Sequence, residues 1–400
     1  MKRILMLGGT PALIPVIRAA KKLGIYVITA DYIPANEAHK YSDEYCNVSV
    51  VDQEAVLSKA RSLRVDGILS FACDAGCITT AYVQEQLGLP SIGPYESVCI
   101  LQHKDLFRQF LRENGFNTPR SWSFTSFDDA IVAANEFHYP IIVKPTDSNG
   151  SKGVTRVDVY ERLEDALRIS YNYSKTGNIL VEDFIEKKGH PSDSDCFSVS
   201  GKLVFTSFSS QRFDEKADGA FTPAAFSWPS SYSIQEKAYL KEELQRLMFL
   251  LSMNTTIYNV ETRIGNDNKP YIMECSPRGG GNRIAEVIRY ATGVDLIENS
   301  VRAAVGMPLS DLEQMPYIGH WAEIIIHSNR KGIFHGIEIL DGSYRKCIVD
   351  LLLYYKEGDY VNSFLAGSDA IGSIVFNFES NKQMEDALSS QSDWLRIKVS

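Results

Sequence analysis

The sequence has no paired cysteine motif and no long apolar run, and both absences narrow its class. Its seven cysteines are scattered, odd in number and without the Cys-x-x-Cys spacing of a zinc site. We therefore expect reduced thiols and a cytoplasmic location. No apolar stretch approaches the ~20 residues that cross a bilayer, so we expect a soluble protein with no membrane partner. The apolar run after Met1 ends at Gly8, too early for a signal peptide, and is interpreted as a buried strand.

Excess positive charge is also lacking. The formal net charge is -9 over 400 residues, which gives the chain no overall attraction to polyanions, so no nucleic acid partner is expected. Single hydrophobic cores stop growing at ~250 to 300 residues. The length therefore predicts two or three domains.

Two common nucleotide-binding motifs are incomplete. No Walker A sequence occurs, because the lysine of the Gly/Ser-rich segment precedes the glycines instead of following them. Gly8 and Gly9 follow the first predicted strand and Asp31 ends the second, as in a dinucleotide site, but the glycine motif is incomplete and Pro11 occupies the turn. A nicotinamide-dependent dehydrogenase is kept as an alternative on these residues alone.

The order of predicted elements indicates the fold class. Short apolar strands alternate with amphipathic helices through the first hundred residues, which predicts a parallel, doubly wound sheet. Strands at 256–263 and 270–274 are joined by a Gly/Asn/Asp-rich turn, which predicts a hairpin. After residue 306 short strands dominate, which predicts a small β-rich C-terminal domain.

The most specific segment is the apolar strand that ends in Lys144, together with the loop that follows it. A lysine at the end of a strand reaches phosphate oxygens, and small loop residues let backbone amides approach a polyphosphate. Lys104, at the start of an earlier helix, would add a second cation; alone it would be a solvated lysine. The loop alone would be an ordinary turn. Its candidate residues are Ser148, Asn149, Gly150, Ser151, Lys152 and Gly153.

Two further segments complete the candidate site. A strand that ends in Glu182, Asp183, Phe184 and Ile185 offers main-chain groups and an apolar wall to a base such as adenine. Glu261 and Glu274 face each other across the predicted hairpin, where two carboxylates and phosphate oxygens suit Mg²⁺. Arg278 follows closely and could neutralise charge at a phosphate under attack.

The acceptor region is harder to interpret. Gln211, Arg212 and Trp228 could approach a substrate from a loop, and a solvated turn follows them.

Taken together and in order, these residues resemble the ATP-grasp superfamily of ligases. The likeness is nearest the L-amino acid ligase and carbamoyl-phosphate-synthase-like branch, which is biotin-carboxylase-like. It implies an α/β and α+β fold with a Rossmann-like pre-ATP-grasp domain at 1–117, a bipartite ATP-grasp domain at 118–305 and a β-rich domain at 306–400. Within the centre, 118–185 would be a small lid and 186–305 would carry the metal and catalytic residues.

The resemblance also implies cofactors and roles. ATP and Mg²⁺ or Mn²⁺ would bind, with Lys104 and Lys144 on the phosphates and the loop with Lys152 closing over the γ-phosphate. Asp195 would reach the ribose. Glu261 and Glu274 would bind metal together with Ser276, which stands where the family usually has asparagine. Arg278 would stabilise an acyl phosphate.

By that likeness the chain joins a small-molecule carboxylate to an amine through an acyl phosphate. Two alternatives stay open: a carboxylase that uses bicarbonate through carboxyphosphate, and a non-catalytic ATP-binding protein. A homodimer is expected by family analogy alone.

Overall fold

The computed structural model describes residues 1–148 and 150–400. The strands, in chain order, are β1 (Arg3–Leu7), β2 (Tyr26–Asp31), β3 (Glu44–Asn47), β4 (Gly67–Ser70), β5 (Ser121–Phe124), β6 (Ile141–Pro145), β7 (Thr155–Val157), β8 (Ile179–Asp183), β9 (Ser192–Val199), β10 (Lys202–Thr206), β11 (Ser210–Phe213), β12 (Pro223–Trp228), β13 (Thr256–Ile264), β14 (Pro270–Ser276), β15 (His320–Ile326), β16 (Gly332–Ile339), β17 (Ile348–Leu353), β18 (Tyr360–Val361), β19 (Gly372–Phe378) and β20 (Leu395–Val399).

The helices connect and cover these strands. They are α1 (Ile14–Lys22), α2 (Gln53–Leu63), α3 (Cys77–Leu87), α4 (Tyr95–Gln102), α5 (Lys104–Glu113), α6 (Phe127–Val132), α7 (Leu163–Tyr173), α8 (Ile234–Leu250), α9 (Ile284–Thr292), α10 (Leu296–Ala304), α11 (Gly342–Arg345), α12 (Asn381–Ser389) and α13 (Gln391–Trp394). Short 3-10 helices lie at Pro11–Leu13, Glu37–Tyr41, Asp74–Gly76, Ala133–Glu136, Tyr160–Arg162 and Gly367–Asp369.

The N-terminal sheet is parallel, as predicted. Its strand order is β3-β2-β1-β4, with Ile4 of β1 opposite Val27 of β2 and Gly67 of β4. Ile4 and Leu5 are fully buried, because helices cover both faces of such a sheet. The Rossmann-like part of the fold prediction is confirmed.

Two antiparallel sheets carry the central segments. The first has the order β5-β8-β6-β7 and contains the strand of Lys144. The second has the order β10-β9-β13-β14 and contains the predicted hairpin, β13 and β14. The mixed α/β and α+β prediction is therefore confirmed for the centre of the chain.

The C-terminal strands form a five-stranded sheet, β11-β12-β15-β19-β17, and a three-stranded sheet, β18-β16-β20. The five-stranded sheet joins β12 to β15, so it contains strands from both sides of residue 305. The division of the chain into domains at residues 117 and 305 stays a prediction.

Packing joins the N-terminal sheet to the helix that precedes the C-terminal strands. A Cβ at Gly67 in β4 would lie 1.9 Å from the carbonyl oxygen of Ala304 in α10. The largest hydrophobic cluster contains Ile4 of β1, Phe197 of β9 and Val375 of β19. One continuous core therefore holds strands from three sheets around a shared centre.

Within the described ranges, no helix has the length and apolar character needed to cross a membrane.

Candidate functional site

A cavity of about 710 Å³ lies between the N-terminal sheet, the two central sheets and the C-terminal strands. Most of the predicted residues line it: Lys104, Lys144, Ser148, Gly150, Ser151, Glu182, Asp183, Phe184, Ile185, Glu261, Glu274 and Arg278. Lys152, Gly153, Asp195 and Ser276 do not line it. The prediction for Asn149 falls outside the described residues.

A buried ion cluster forms one wall of the cavity. Glu182 Oε1 accepts a hydrogen bond from Lys144 Nζ at 2.5 Å, and its Oε2 accepts one from Arg108 Nε at 2.9 Å. Burial disfavours the carboxylate, but the charges of Arg108 and Lys144 outweigh it and lower the pKa of Glu182 to about 2. The side chain of Glu182 therefore fixes two cations at the cavity wall.

Arg108 is a residue that sequence reasoning missed. It lies one helical turn after Lys104 on α5, and its Nη1 also donates to the carbonyl oxygen of Met273 on β14 at 2.9 Å. The spacing of Lys104 and Arg108 on one helix face was the available signal. Arg108 connects α5 to the sheets that carry Glu182 and Glu274.

The loop after β6 lies over the cavity. Lys104 Nζ donates to the carbonyl oxygen of Ser148 at 2.7 Å, and Ser151 Oγ donates to the carbonyl oxygen of Phe221 at 2.9 Å. Ser151 has a φ of 62°, a left-handed backbone conformation that residues other than glycine rarely adopt. Lys152 is exposed. The loop is therefore held at both ends, with the Lys152 side chain outside the cavity.

The end of β8 is held by two arginines. The guanidinium carbon of Arg156 lies 4.2 Å from the centre of the Phe184 ring, and that of Arg263 lies 5.8 Å from it. Arg263 Nη1 donates to the carbonyl oxygen of Ile185 at 2.9 Å. The chain is therefore fixed where it leaves the strand.

Glu261 and Glu274 are directly opposed on β13 and β14. Neither carboxylate takes part in a salt bridge within the part of the chain that the structure describes. Burial, together with the charge of Glu274, raises the pKa of Glu261. A divalent cation would relieve this repulsion, and Mg²⁺ commonly binds one or two carboxylates plus phosphate oxygens. The pair fits such an ion, although no group of three or more His, Cys, Asp or Glu side chains with metal-ligand spacing occurs among the described residues.

Ser276 and Asp195 are buried and form hydrogen bonds within the protein. Ser276 is 2% exposed, and its Oγ accepts a hydrogen bond from Gln102 Nε2 at 3.1 Å. Asp195 is fully buried, and its Oδ1 accepts hydrogen bonds from Gly280 N at 2.9 Å and Asn259 Nδ2 at 3.2 Å. Neither residue lines the cavity, and the metal role of Ser276 and the ribose role of Asp195 stay predictions.

Asp193, on the same strand as Asp195, does line the cavity. It lies opposite Glu261 in the pairing of β9 with β13, and its Oδ1 accepts a hydrogen bond from Asn259 Nδ2 at 2.7 Å. Burial, with the charge of Glu261 next, raises the pKa of Asp193 to about 8. Sequence reasoning missed Asp193, because side chains alternate along β9 and Asp193 and Asp195 are therefore on the same face of the strand.

Arg278 contacts the segment that follows the last strand of the N-terminal sheet, β4. Its Nε donates to Asp74 Oδ1 at 2.7 Å, and its Nη1 donates to the carbonyl oxygen of Gly279 at 2.9 Å. Burial disfavours ionisation of Asp74, but the charge of Arg278 outweighs it and lowers the pKa of Asp74. Asp74 lies just beyond β4 and also lines the cavity, which the sequence did not indicate.

The three candidate residues of the acceptor region lie in different surroundings. Gln211 lines the cavity, but Arg212 and Trp228 do not. Arg212 Nη2 donates to both carboxylate oxygens of Glu385 at 2.7 Å, and Trp228 is fully buried. The interpretation of Arg212 and Trp228 as substrate contacts is not supported, because their polar groups bind within the protein.

The glycine turn after β1 does not form an open dinucleotide site. A Cβ at Gly9 would lie 2.5 Å from the His39 ring, and Asp31 Oδ1 accepts a hydrogen bond from Ile33 N at 2.8 Å. His39 therefore occupies the space above the turn. Thr10 and Pro11, which follow it, line the main cavity instead.

Two glycines in the run after Arg278 are needed for close packing. A Cβ at Gly279 would lie 2.2 Å from the Phe71 ring, and one at Gly280 would lie 2.8 Å from Asn259 Nδ2. A Cβ at Gly281 would meet nothing within 4 Å. The run lets the Arg278 turn lie against both the N-terminal sheet and β13.

Gly279→Ala is therefore expected to destabilise the protein by about 1–3 kcal/mol, because Phe71 is 4% exposed and has little room to move. Urea denaturation of the purified variants measures this change. Gly281→Ala is the matched control and should change the free energy of unfolding by less than about 1 kcal/mol. Equal losses in the two variants would contradict the packing argument.

A family model described as ATP-grasp domain matches residues 137–286. The carbamoyl phosphate synthase large chain of Thermotoga neapolitana is 26% identical over 225 residues, which are 56% of this chain and 20% of that protein. The chain thus spans about a fifth of the length of this relative.

Solved structures share the fold over the whole chain. The L-amino acid ligase from Bacillus licheniformis superposes with a TM-score of 0.83 at 20% identity, covering 100% of this chain and 99% of that one. The biotin carboxylase domain of Hydrogenobacter thermophilus 2-oxoglutarate carboxylase, in complex with MgADP, ADP and bicarbonate, superposes with a TM-score of 0.75 at 16% identity, covering 100% and 91%. At these identities the likeness establishes the fold.

Proposed function

We propose that this chain, whose residues 137–286 match a family model described as ATP-grasp domain, is an ADP-forming ligase that joins a carboxylate to an amine through an acyl phosphate. The observation that carries the proposal is the cavity in which Lys104, Lys144, the Glu261 and Glu274 pair and Arg278 meet. Phosphoryl transfer to a carboxylate needs cations to hold the polyphosphate, carboxylates to bind its metal ion and a positive group to neutralise the charge that develops during attack. The cavity offers residues of all three kinds.

In this proposal ATP binds between the two central sheets. Lys104 and Lys144 hold phosphate oxygens, and the loop 148–153 covers them. The base lies against the segment from Glu182 to Ile185, where Phe184 and Ile185 line the cavity. Lys152 is exposed, so its proposed role at the γ-phosphate requires the loop to move.

Glu261 and Glu274 would hold the metal, which we propose to be Mg²⁺ or Mn²⁺. The ion would supply charge neutralisation on the phosphate oxygens when bound. The carboxylates are positioned for this by the register of β13 and β14, which places them on directly opposed residues. Ser276 is not part of this proposed metal site.

The bonds change in two steps. A carboxylate oxygen of the first substrate forms a bond to the γ-phosphorus, and the bond from that phosphorus to the bridging oxygen of ADP breaks. The amine nitrogen then bonds to the acyl carbon, the bond from that carbon to the phosphate oxygen breaks, and a proton leaves the nitrogen. Arg278 would hold the phosphate group in both steps, and a closed cavity would keep water from the acyl phosphate.

The test is hydroxylamine trapping. The protein is incubated with ATP, Mg²⁺, hydroxylamine and pools of carboxylates, and phosphate release is measured together with hydroxamate formation. Both signals with one pool support the proposal and identify the donor. Phosphate release that depends only on bicarbonate would replace it with a carboxylase, and no release with any pool would favour a non-catalytic ATP-binding protein. Dimerisation stays a separate prediction.

Asp74 is expected to act as a positioning residue for Arg278. Asp74→Asn keeps an oxygen acceptor near Arg278 Nε but removes the ion pair, so Arg278 should lose its fixed orientation. We expect kcat for hydroxamate formation to fall about 10-fold or more, with the KM for ATP changed less than twofold. Steady-state kinetics measure kcat and the KM for ATP separately.

The control for this variant is Asp393→Asn, which changes an exposed aspartate that does not line the cavity. Its kcat should match the wild type. An Asp74→Asn variant with unchanged kcat, or with a KM for ATP that rises as far as kcat falls, would contradict the positioning role.

A further inference from the structure

One part of the cavity offers hydrogen-bond acceptors that no group in the protein uses. Gln211 is 3% exposed, and its Oε1 has no hydrogen-bond partner within residues 1–148 and 150–400. The carboxyl group of Asp193 accepts one hydrogen bond, from Asn259 Nδ2 to its Oδ1, and forms no salt bridge within the same ranges. Both side chains line the cavity.

The backbone brings these two residues together. Ser209 Oγ donates to the carbonyl oxygen of Asp193 at 2.7 Å, and Gln211 N donates to the carbonyl oxygen of Pro191 at 2.8 Å. The start of β11 therefore runs beside the start of β9. A buried amide oxygen without a partner costs free energy, which a ligand that donates hydrogen bonds would recover.

The surroundings indicate the shape of that ligand. Phe213 is two residues beyond Gln211 on β11, so both point to the same face of the strand. Phe221, Tyr354 and Tyr355 also line the cavity. An acceptor set of one carboxylate and one amide beside aromatic rings suits a primary amine that carries an apolar or aromatic group.

We infer that Asp193 and Gln211 bind the amino group of the nitrogen substrate, and that the aromatic residues of the cavity receive its apolar part. This inference rests on the proposed ligase function. Asp193 lies opposite Glu261 in the sheet, so an amine at Asp193 is next to the place proposed for the metal and the acyl phosphate. That placement is what attack on the acyl carbon requires.

The first test measures binding without turnover. Calorimetric titration of the full chain with phenethylamine, in the presence of ADP and Mg²⁺, should give tighter binding than 2-phenylethanol, which has the same ring but no ammonium group. Asp193→Asn should weaken phenethylamine binding about 10-fold or more, because the ammonium group, whose charge favours the ionised form of Asp193, loses that carboxylate as an acceptor. Asp393→Asn is the matched control and should bind as the wild type does.

A second variant protects the test against misfolding. Gln211→Met keeps the side-chain length but removes the acceptor, and it should also weaken phenethylamine binding while 2-phenylethanol binding changes less than twofold. Equal affinity of the wild type for the two compounds would overturn the inference. So would an unchanged phenethylamine affinity in both variants.

The second test separates the inference from the function on which it rests. With the carboxylate that gives hydroxamate, Asp193→Asn should raise the KM for phenethylamine about 10-fold or more, while Asp393→Asn should leave that KM within twofold of the wild type. A raised Mg²⁺ requirement in the same assay would instead make Asp193 a metal ligand and overturn the inference. Selective binding of phenethylamine without hydroxamate from any pool would contradict the ligase proposal alone.

Discussion

Glu182→Gln is expected to lower the free energy of unfolding at pH 7 by about 3–5 kcal/mol. The glutamate carries the negative charge in a buried cluster with Lys144 and Arg108, whose side chains are 11% and 2% exposed. Glutamine has nearly the same shape, so the variant leaves two buried cations without a counter-ion instead of creating a cavity. Urea denaturation at pH 7 gives the value.

The pH dependence gives the same prediction a second readout. The pKa of Glu182 is lowered from 4.5 to about 2 in the folded protein, because Arg108 and Lys144 outweigh the burial that would raise it. Its contribution to stability is therefore fully present above about pH 4.5 and is lost as the pH falls towards about 2. The difference between wild type and Glu182→Gln should shrink over that interval.

The control for this variant is Glu164→Gln. Glu164 pairs with Arg168 on α7, where the two side chains are 59% and 65% exposed. An exposed pair of this kind contributes only about 0.3–0.5 kcal/mol, so the same chemical change should have little effect there. A loss for Glu182→Gln that is no larger than the loss for Glu164→Gln would contradict the role of the buried cluster.

The sequence predicted those parts of the site that depend on local patterns. The hairpin that opposes Glu261 to Glu274 follows from alternating strands around a Gly/Asn/Asp turn, and the structure has this pairing. Lys144 ends an apolar strand and lines the cavity as its position indicates. In both cases the signal lies within a few residues of the side chain.

Contacts between distant segments could not be predicted in this way. Asp74 pairs with Arg278 across 204 residues, and Arg212 pairs with Glu385 across 173. No local pattern distinguishes an arginine that faces a cavity from one that binds a carboxylate of a distant helix. That Asp193 and not Asp195 lines the cavity could not be predicted for a similar reason, because only the register with β13 shows which of the two lies opposite Glu261.

Arg278→Met is expected to reduce kcat for acyl phosphate formation by about 10²–10³. Two of the guanidinium nitrogens are occupied, since Nε donates to Asp74 and Nη1 donates to Gly279. Nη2 makes no hydrogen bond to any described residue, and Arg278 lines the cavity. One donor is thus held towards the cavity by contacts on the other two. Hydroxamate formation at saturating ATP measures the loss.

The companion variants distinguish a chemical role from a structural one. Arg278→Lys keeps the positive charge but loses the planar set of guanidinium donors, so its kcat should lie between those of Arg278→Met and the wild type. Asp74→Asn combined with Arg278→Met should cost no more in kcat than Arg278→Met alone, because Asp74 acts through the arginine that is then missing. Additive losses in the double variant, or a kcat for Arg278→Met within threefold of the wild type, would mean that Arg278 serves to join β14 to the N-terminal sheet and not to stabilise the phosphate.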